Sequence, residues 1–147
     1  MSAPLSQADK DALVAAARAV QHRAYAPYSG FHVGAALLTR DGKVHCGVNV
    51  ENASYPVGAC AERIAIGAAF TAGDRDIIAV AVATDAPIPV MPCGMCSQAL
   101  FEVSPELLVI ASGAGDQRRE VRVRDVLPFA YQGEGLTPVE PKSETTR

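Results

Sequence analysis

The chain has 147 residues, 49% of them hydrophobic, and a formal net charge of −3 at pH 7. This length fits one domain with one core, and the small negative charge argues against a nucleic-acid duplex as a partner. No apolar run approaches the roughly 20 residues of a membrane helix, and the N-terminus lacks the basic and apolar regions of a signal peptide. We therefore expect a cytoplasmic protein without a membrane partner, whose four cysteines are metal ligands or free thiols.

The first part of the chain predicts one helix and two strands, over residues 6–24, 31–39 and 44–48. Ser6 is a good N-cap for the helix. The apolar stripe of the helix, at helical spacing, consists of Leu13, Ala17, Val20 and Ala24. Asp41-Gly42 lies between the two strands and is a strong signal for an antiparallel hairpin. Residues 49–59 show no periodicity and predict a loop.

The second part predicts helices over residues 60–72 and 93–103, a short helical turn over residues 125–127, and strands over residues 77–83, 107–111 and 120–123. Residues 77–83 form a continuous apolar run with several β-branched side chains, which is typical of a strand covered on both faces. Residues 60–72 stop at Gly73 and are apolar nearly all round, so they predict a buried helix.

This order of elements predicts an α/β fold, in which a mixed five-stranded sheet carries helices on both faces. The predicted domain spans residues 1–136. The polar residues 137–147 predict a disordered tail.

Three cysteines stand at the predicted starts of the second and third helices: Cys60, Cys93 and Cys96. Catalytic zinc sites use three protein ligands and keep a fourth position for water. Free backbone N–H groups in the first turn of a helix stabilise thiolates. The three cysteines therefore predict a site for one Zn²⁺ ion per chain, at the point where two positive helix ends meet.

Two charged residues, Glu62 and Arg63, lie just after the first of these cysteines. Three thiolates leave Zn²⁺ with a net charge of −1 and make it a poorer acid, and Arg63 can restore the lost acidity by donating to a thiolate. Glu62 is not needed as a ligand. We interpret it as the proton carrier between water and substrate.

Other interpretations of the cysteines stay open at this point. Cys46 could complete a closed structural zinc site as a fourth ligand, although its position in a strand favours core packing. The motif Cys93-Gly94-Met95-Cys96 is also typical of a thioredoxin-like redox site. The redox interpretation explains neither Cys60 nor Glu62, and Glu62 without these neighbours would be a solvated helix charge.

Longer motifs surround these residues, over residues 26–37, 47–55 and 127–131. Together with Cys60-Ala61-Glu62-Arg63 and Pro92-Cys93-Gly94-Met95-Cys96, they resemble the cytidine deaminase family, specifically its small, three-cysteine, homotetrameric branch. The resemblance covers most of the chain, and the motifs stand in the order and spacing of that family. It implies a three-layer α/β/α fold of the cytidine deaminase type.

The resemblance also implies a role for each candidate site residue. The three cysteines would bind zinc, and Glu62 would shuttle protons. Asn49 and Glu51 would hydrogen-bond the ribose hydroxyls, which suits an amide and a carboxylate. Phe31 would pack against the pyrimidine ring, and the backbone around Ala61 would hold the base.

Two points of the resemblance concern the surroundings of the site. Tyr55, and an aromatic side chain among residues 129–131, would reach the site or interface of a neighbouring subunit. The family commonly has Arg-Gln after the second cysteine of the Pro-Cys-x-x-Cys motif, where this chain has Ser97-Gln98. A cation near the thiolates is therefore missing, and Arg63 carries more of the compensation, with Gln98 as a second neighbour of the ligands. This departure bears on substrate preference more than on the deaminase assignment.

The resemblance predicts hydrolytic deamination of cytidine and 2′-deoxycytidine to uridine and 2′-deoxyuridine, with release of ammonia in pyrimidine salvage. The short, slightly acidic chain has no basic groove or run of aromatics for single strands, which favours a free nucleoside over nucleic acid. Two alternatives remain: a deaminase of a modified cytosine nucleoside, such as an aminoacyl-nucleoside antibiotic, and a Cys-x-x-Cys thiol-redox protein.

Overall fold

The computed structural model describes residues 5–133. Its helices are Gln7–Gln21 (α1), Ala61–Thr71 (α2), Gly94–Val103 (α3) and Val123–Val126 (α4). Its strands are Val33–Thr39 (β1), Val44–Val48 (β2), Ile77–Thr84 (β3), Leu108–Ser112 (β4) and Arg118–Arg122 (β5). All predicted elements are present in the predicted order, and the predicted loop contains one short 3-10 helix, Tyr55–Val57. The predicted tail and the predicted end of the domain lie outside the described residues.

The five strands form one sheet in the order β2-β1-β3-β4-β5. β3 and β4 run parallel, with α3 in the connection between them, and the other neighbouring pairs are antiparallel. An antiparallel pair needs only a turn, whereas a parallel pair needs a long crossover, so the mixed sheet matches the helix–strand order of the chain. The carboxyl ends of β3 and β4 consequently lie at the same edge of the sheet. Among the described residues, none of the helices combines the length and the apolarity that crossing a membrane requires.

Two apolar clusters on opposite faces of the sheet form the core. Successive residues of β1 alternate between them, because side chains of a strand point to opposite faces. Ala35 and Leu37 pack in the cluster that holds residues of α2 and α3, and Ala36 packs in the cluster that holds residues of α1. β3 contributes to both clusters and is buried along almost its whole length. These contacts confirm the mixed sheet, the helices on both faces and the strand covered on both sides.

The end of α1 differs from the prediction. The helix ends at Gln21 and not at residue 24, because the backbone N–H groups of Arg23 and Ala24 donate to Val20 O (2.9 Å) and Gln21 O (3.1 Å) in a tight turn. The buried residues of the helix are Leu13, Val14, Ala17 and Gln21. A polar side chain therefore lies on the buried face, whereas two apolar residues of the predicted stripe, Val20 and Ala24, are only half-buried.

The prediction of a wholly buried α2 is wrong for the single chain. The buried residues of α2 lie on one face: Ala61, Glu62, Ala65 and Ala69. Ile64 and Phe70, on the rest of the helix surface, are 37% and 40% exposed. The helix belongs to an outer layer, so the sheet covers only one of its faces and the other apolar residues stay accessible.

α2 lies very close to β2 because Gly47 of that strand has no side chain. A Cβ atom at Gly47 would overlap the carbonyl oxygen of Ala61 and the nitrogen of Ala65, and would lie 3.0 Å from the Cα atom of Ala65. This close approach sets the position of the first turn of α2 over the sheet. That turn carries Glu62, and the residue before it is Cys60.

Candidate active site

The structure brings the three predicted zinc ligands together at the starts of α2 and α3. Cys60 is the N-cap of α2, Cys93 is the N-cap of α3, and Cys96 lies in the first turn of α3. Their Sγ atoms all lie within 4.8 Å of one another. Each helix therefore begins one residue later than predicted, and the positive ends of both helices are directed at the sulfur atoms.

The spacing of the three sulfur atoms fits zinc. Zinc–sulfur bonds of about 2.3 Å in a tetrahedron place the sulfur atoms about 3.8 Å apart. The sulfur–sulfur distances found here, all within 4.8 Å, allow this spacing. Among residues 5–133, this is the one group of three or more His, Cys, Asp or Glu ligand atoms so close together. The alternative of a closed site with Cys46 is wrong, because Cys46 packs against the α1 cluster on the opposite face of the sheet.

The thiols have different environments. Burial raises the pKa values of Cys60 and Cys96, and Cys96 is fully buried. Burial also opposes ionisation of Cys93, but hydrogen bonds that include the backbone N–H groups of Cys96 and Met95 lower its pKa overall. Three thiolates in so small a volume require a cation between them, because like charges this close repel one another. The donor set thus suits a divalent metal ion of the soft, thiolate-binding kind.

Glu62 lies beside the cysteines but is not part of the cluster of ligand atoms. Its side chain is 4% exposed, and its Oε2 atom lies 3.5 Å from Cys96 Sγ. Burial raises the pKa of the Glu62 carboxyl above its ordinary value. A carboxyl group with a raised pKa holds a proton more readily than an ordinary one and can still release it, which suits a general acid–base. The alternative of a solvated helix charge is therefore wrong for Glu62.

Arg63 directs its guanidinium group at the same cysteines. Its Nη2 atom donates to the carbonyl of Gly58 (3.3 Å), and its buried Nε atom has no hydrogen-bond partner within the described part of the chain. Burial opposes its charge, but contacts with the side chains of Cys60 and Cys96 raise its pKa overall. The buried side chain of Ser97 binds the carbonyl of Pro92 (3.3 Å) and brings no charge to the site.

A cavity of about 430 Å³ opens beside the cysteines. It is lined by Glu62 together with all five predicted substrate-binding residues: Phe31, Asn49, Glu51, Tyr55 and Ala61. None of the described residues that line it is Lys, Arg or His. Its size falls in the range of small-molecule sites in proteins. Residues of the wall to which the sequence assigned no role include Ser29, Val82, Thr84 and Met91.

The two predicted ribose-binding residues, Asn49 and Glu51, are held in place by the loop that carries Phe31. Asn49 donates through Nδ2 to the carbonyl of Phe31 (2.7 Å) and accepts at Oδ1 from the backbone N–H of Val33 (2.8 Å). These bonds explain why β1 begins at Val33 and not at residue 31. Glu51 accepts from the backbone N–H groups of Tyr28 (2.8 Å) and Ser29 (3.2 Å) and from the Ser29 hydroxyl. The Ser29 hydroxyl, with these N–H groups, lowers the pKa of Glu51, so its carboxylate is charged at neutral pH.

The remaining predicted residues lie at the surface. Tyr55 is 78% exposed and meets Tyr28 edge to face, with 6.3 Å between ring centroids. Gln98 donates to the carbonyl of Tyr131 (2.8 Å) and so ties the C-terminal segment to α3. Phe129, in the left-handed region with φ of 57°, is fully exposed. None of these aromatic side chains packs in the core of the described chain.

The chain matches a known protein family. A family model, described as the cytidine and deoxycytidylate deaminase zinc-binding region, matches residues 7–112. The chain belongs to this family. It is 42% identical over 129 residues to a cytidine deaminase of Halalkalibacterium halodurans, a match that covers 87% of this chain and 98% of the relative. The family region includes all three clustered cysteines, Glu62 and Arg63.

Solved structures of the family have the same fold. A cytidine deaminase from Burkholderia pseudomallei superposes with a TM-score of 0.81 at 44% identity, covering 86% of this chain and 100% of that one. A cytidine deaminase from Mycobacterium tuberculosis superposes with a TM-score of 0.74 at 39% identity, covering 84% of this chain and 98% of that one. These matches confirm the predicted cytidine deaminase type of α/β fold and give no support to a thioredoxin-like redox protein.

Proposed function

We propose that this chain is a zinc-dependent hydrolase that deaminates cytidine and 2′-deoxycytidine to uridine and 2′-deoxyuridine, with release of ammonia. One observation carries the proposal. Three cysteine sulfur atoms lie within 4.8 Å of one another, and two of these cysteines, Cys60 and Cys93, line one nucleoside-sized cavity together with the buried Glu62. Cytidine deaminases that match nearly the full length of the chain support the same reaction.

Cys60, Cys93 and Cys96 would hold one Zn²⁺ ion per chain. When bound, the ion supplies the Lewis acid that activates water for attack on C4 of the pyrimidine. Glu62 accepts a proton from the water through its carboxylate oxygens and delivers it to ring N3. Glu62 then moves the remaining proton of that water, from the hydroxyl now bonded to C4, to the amino group. The C4–N bond breaks, ammonia leaves, and the product has an oxo group at C4 and a proton on N3. Arg63 offsets the negative charge of the thiolates.

The cavity wall supports a free nucleoside as the substrate. Phe31 packs against the pyrimidine ring, the backbone at Ala61 holds the base, and Asn49 and Glu51 bind the ribose hydroxyls. Asn49 has a second N–H on Nδ2 available for this contact, because the bond to Phe31 uses only one. A phosphate group would meet the Glu51 carboxylate in a cavity whose described lining offers no cation. That charge pattern disfavours nucleotides and polynucleotides.

Self-association is a second part of the proposal. The chain exposes a set of large apolar side chains: Tyr55, Val57, Ile64, Phe70, Phe129 and Tyr131. Exposed apolar groups of this size, on the surface of α2 and in the segments 55–57 and 129–131, support contact with further copies of the chain. We propose a cytoplasmic homotetramer that acts in pyrimidine salvage, in which Tyr55 and the aromatic side chains of residues 129–131 approach a neighbouring subunit. Residues 1–136 form its single deaminase domain.

The test is the ultraviolet absorbance of cytidine mixed with purified protein, measured before zinc removal, after zinc removal and after zinc is restored. If the cytidine absorbance is lost only when the protein contains zinc, the result supports the zinc requirement, the deamination and the nucleoside substrate together. Glu62→Gln preserves the shape of the side chain, so it should keep the zinc and lower kcat by about 10³-fold. A Glu62→Gln protein with the wild-type rate would show that Glu62 is not the proton carrier. Zinc-loaded protein that leaves both cytidine and deoxycytidine unchanged would refute the substrate.

A further inference from the structure

Gln21 is a buried polar side chain to which the reaction itself assigns no task. It is 4% exposed and lies one helical turn after Ala17 on the buried face of α1, where the other buried residues are apolar. A buried amide on an apolar face is unfavourable unless both of its halves are hydrogen-bonded. A residue that breaks the local pattern in this way points to a specific task.

Both halves of the Gln21 amide have a partner. Nε2 donates to the carbonyl oxygen of His32 (3.0 Å), and Oε1 accepts from Nη1 of Arg18 (3.1 Å). Arginine can only donate and a carbonyl can only accept, so the orientation of the amide is determined by its partners. The amide thus connects α1 to the backbone of the segment that enters β1.

The same segment is held from its other side by a second amide. Asn49 binds the carbonyl of Phe31 and the backbone N–H of Val33, the residues on either side of His32. Phe31, Val33 and Asn49 all line the cavity. Residues 31–33, the first and last of which line the cavity, are therefore clamped between two carboxamides, one from α1 and one from the residue after β2.

Arg18 connects this clamp to the rigid end of the sheet. Its guanidinium group donates to the carbonyl of Thr84 (2.8 Å), to the hydroxyl of Ser112 (3.0 Å) and to the carbonyl of Gly113. Thr84 ends β3 and lines the cavity, and Ser112 ends β4. Gln21 is thereby held by a group that is itself bonded to the carboxyl ends of both parallel strands.

We propose that Gln21 is a positioning residue of the active site. By holding the carbonyl of His32 it keeps Phe31 and Asn49 in the orientation that binds base and ribose, although Gln21 does not touch the substrate. The inference rests on the proposed function for the groups that Phe31 and Asn49 contact. Without Gln21 the segment must be ordered at the moment of binding, and that ordering lowers affinity. The effect should therefore appear in KM and leave the zinc site unchanged.

The kinetic test uses Gln21→Met, which keeps the length of the side chain and removes both hydrogen bonds. Its matched control is Gln7→Met, which makes the same change at an exposed amide of α1 that binds Asp11 (3.0 Å). We expect Gln21→Met to raise KM for cytidine about tenfold, with kcat within about twofold of wild type. Zinc content should stay at the wild-type value, and Gln7→Met should match wild type in all three quantities.

A second measurement does not depend on turnover. The backbone N–H of Val33 donates to Asn49, so its hydrogen exchange reports whether the segment is clamped. Exchange at Val33 should be about tenfold faster in Gln21→Met than in wild type or Gln7→Met. If the wild-type protein does not deaminate cytidine, the proposed function fails, and the exchange rates still decide the role of Gln21.

Two results would overturn the inference. Unchanged KM and unchanged exchange in Gln21→Met would show that the His32 contact holds nothing in place. A folded Gln21→Met protein that loses zinc and kcat together would show a general structural role. Should Gln21→Met fail to fold, Gln21→Glu separates the two contacts, because it keeps an acceptor for Arg18 and removes the donor to His32. It should raise KM about tenfold as well, and a wild-type KM would count against the proposal.

Discussion

Gly47 offers the sharpest test of how the fold positions the catalytic groups. The substitution Gly47→Ala adds one Cβ atom, which overlaps the backbone of Ala61 and Ala65. Both contacts are with helix backbone and not with a flexible side chain, so α2 itself must move away from β2. Overpacking of this kind costs about 1–3 kcal/mol of stability.

The displacement falls on the part of α2 that carries the chemistry. Ala61 lies between Cys60 and Glu62, so a movement large enough to remove the overlap displaces the proposed zinc ligand and the proposed proton carrier together. Misplacement of catalytic groups by about 1 Å lowers activity about 10²-fold. Disturbed ligand geometry lowers metal affinity about 10- to 100-fold. We expect Gly47→Ala to show both effects in addition to a lower melting temperature.

Gly34→Ala is the matched control. A Cβ atom at Gly34 would overlap the carbonyl oxygen of Ala17, so it displaces α1, which carries no zinc ligand. Both variants should lose stability, but only Gly47→Ala should lose zinc affinity in a titration with a competing chelator. Equal zinc affinities in the two variants would refute the argument that the contact at Gly47 positions the first turn of α2.

Three further predictions concern charge. Hydrogen bonds from Lys43 and His45 lower the pKa of Asp74 in the folded protein below its unfolded value. The charged carboxylate therefore stabilises the folded state. This stabilisation is present above the unfolded pKa of about 4 and is lost as the pH falls through the folded pKa. Asp74→Asn should therefore have a lower melting temperature than wild type at pH 7, and the difference should be smaller at pH 3, because the stabilisation is lost as the pH falls. An equal difference at both pH values would contradict this reasoning. Arg63→Met removes the cation beside Cys60 and Cys96. It should weaken zinc binding about tenfold in a titration with a competing chelator. An unchanged zinc affinity would mean that the thiolates need no cationic side chain beside them. Cytidine 5′-monophosphate should react with kcat/KM about 10²-fold below that of cytidine, because the Glu51 carboxylate faces a cavity whose described lining has no cation. Comparable kcat/KM values for the two substrates would show that the cavity does not reject a phosphate group.

The elements with strong local signals were predictable. Ser6 caps α1 and accepts from the backbone N–H of Asp9 (3.1 Å), and the Asp41-Gly42 turn joins β1 and β2 with Gly42 at φ of 88°. Such signals depend on neighbouring residues only, so they need no knowledge of the fold. The grouping of Cys60, Cys93 and Cys96 was predictable as well, because both helix starts carry cysteine and one carries a Cys-x-x-Cys motif.

Features that depend on distant parts of the chain were not predictable. The burial of Gln21 follows from its contact with His32, and the start of β1 follows from the contacts of Asn49 with Phe31 and Val33. The apolar composition of α2 predicted burial all round, but a single chain covers only one of its faces. In each case the feature depends on a contact with another element of the fold, and the periodicity of the local sequence contains no information about that contact.

The sequence by itself determined which residue types carry the chemistry: three thiols, one carboxyl and one guanidinium at helix starts. The suitability of a helix start for these thiols depends only on local backbone geometry, because every helix start exposes free N–H groups. Only the tertiary structure decided that Cys46 lies across the sheet from the other cysteines, and that Gly47 brings α2 close to β2. The physical reason is that strand order and helix layering are settled by burial of the whole core, and they alone determine which side chains meet.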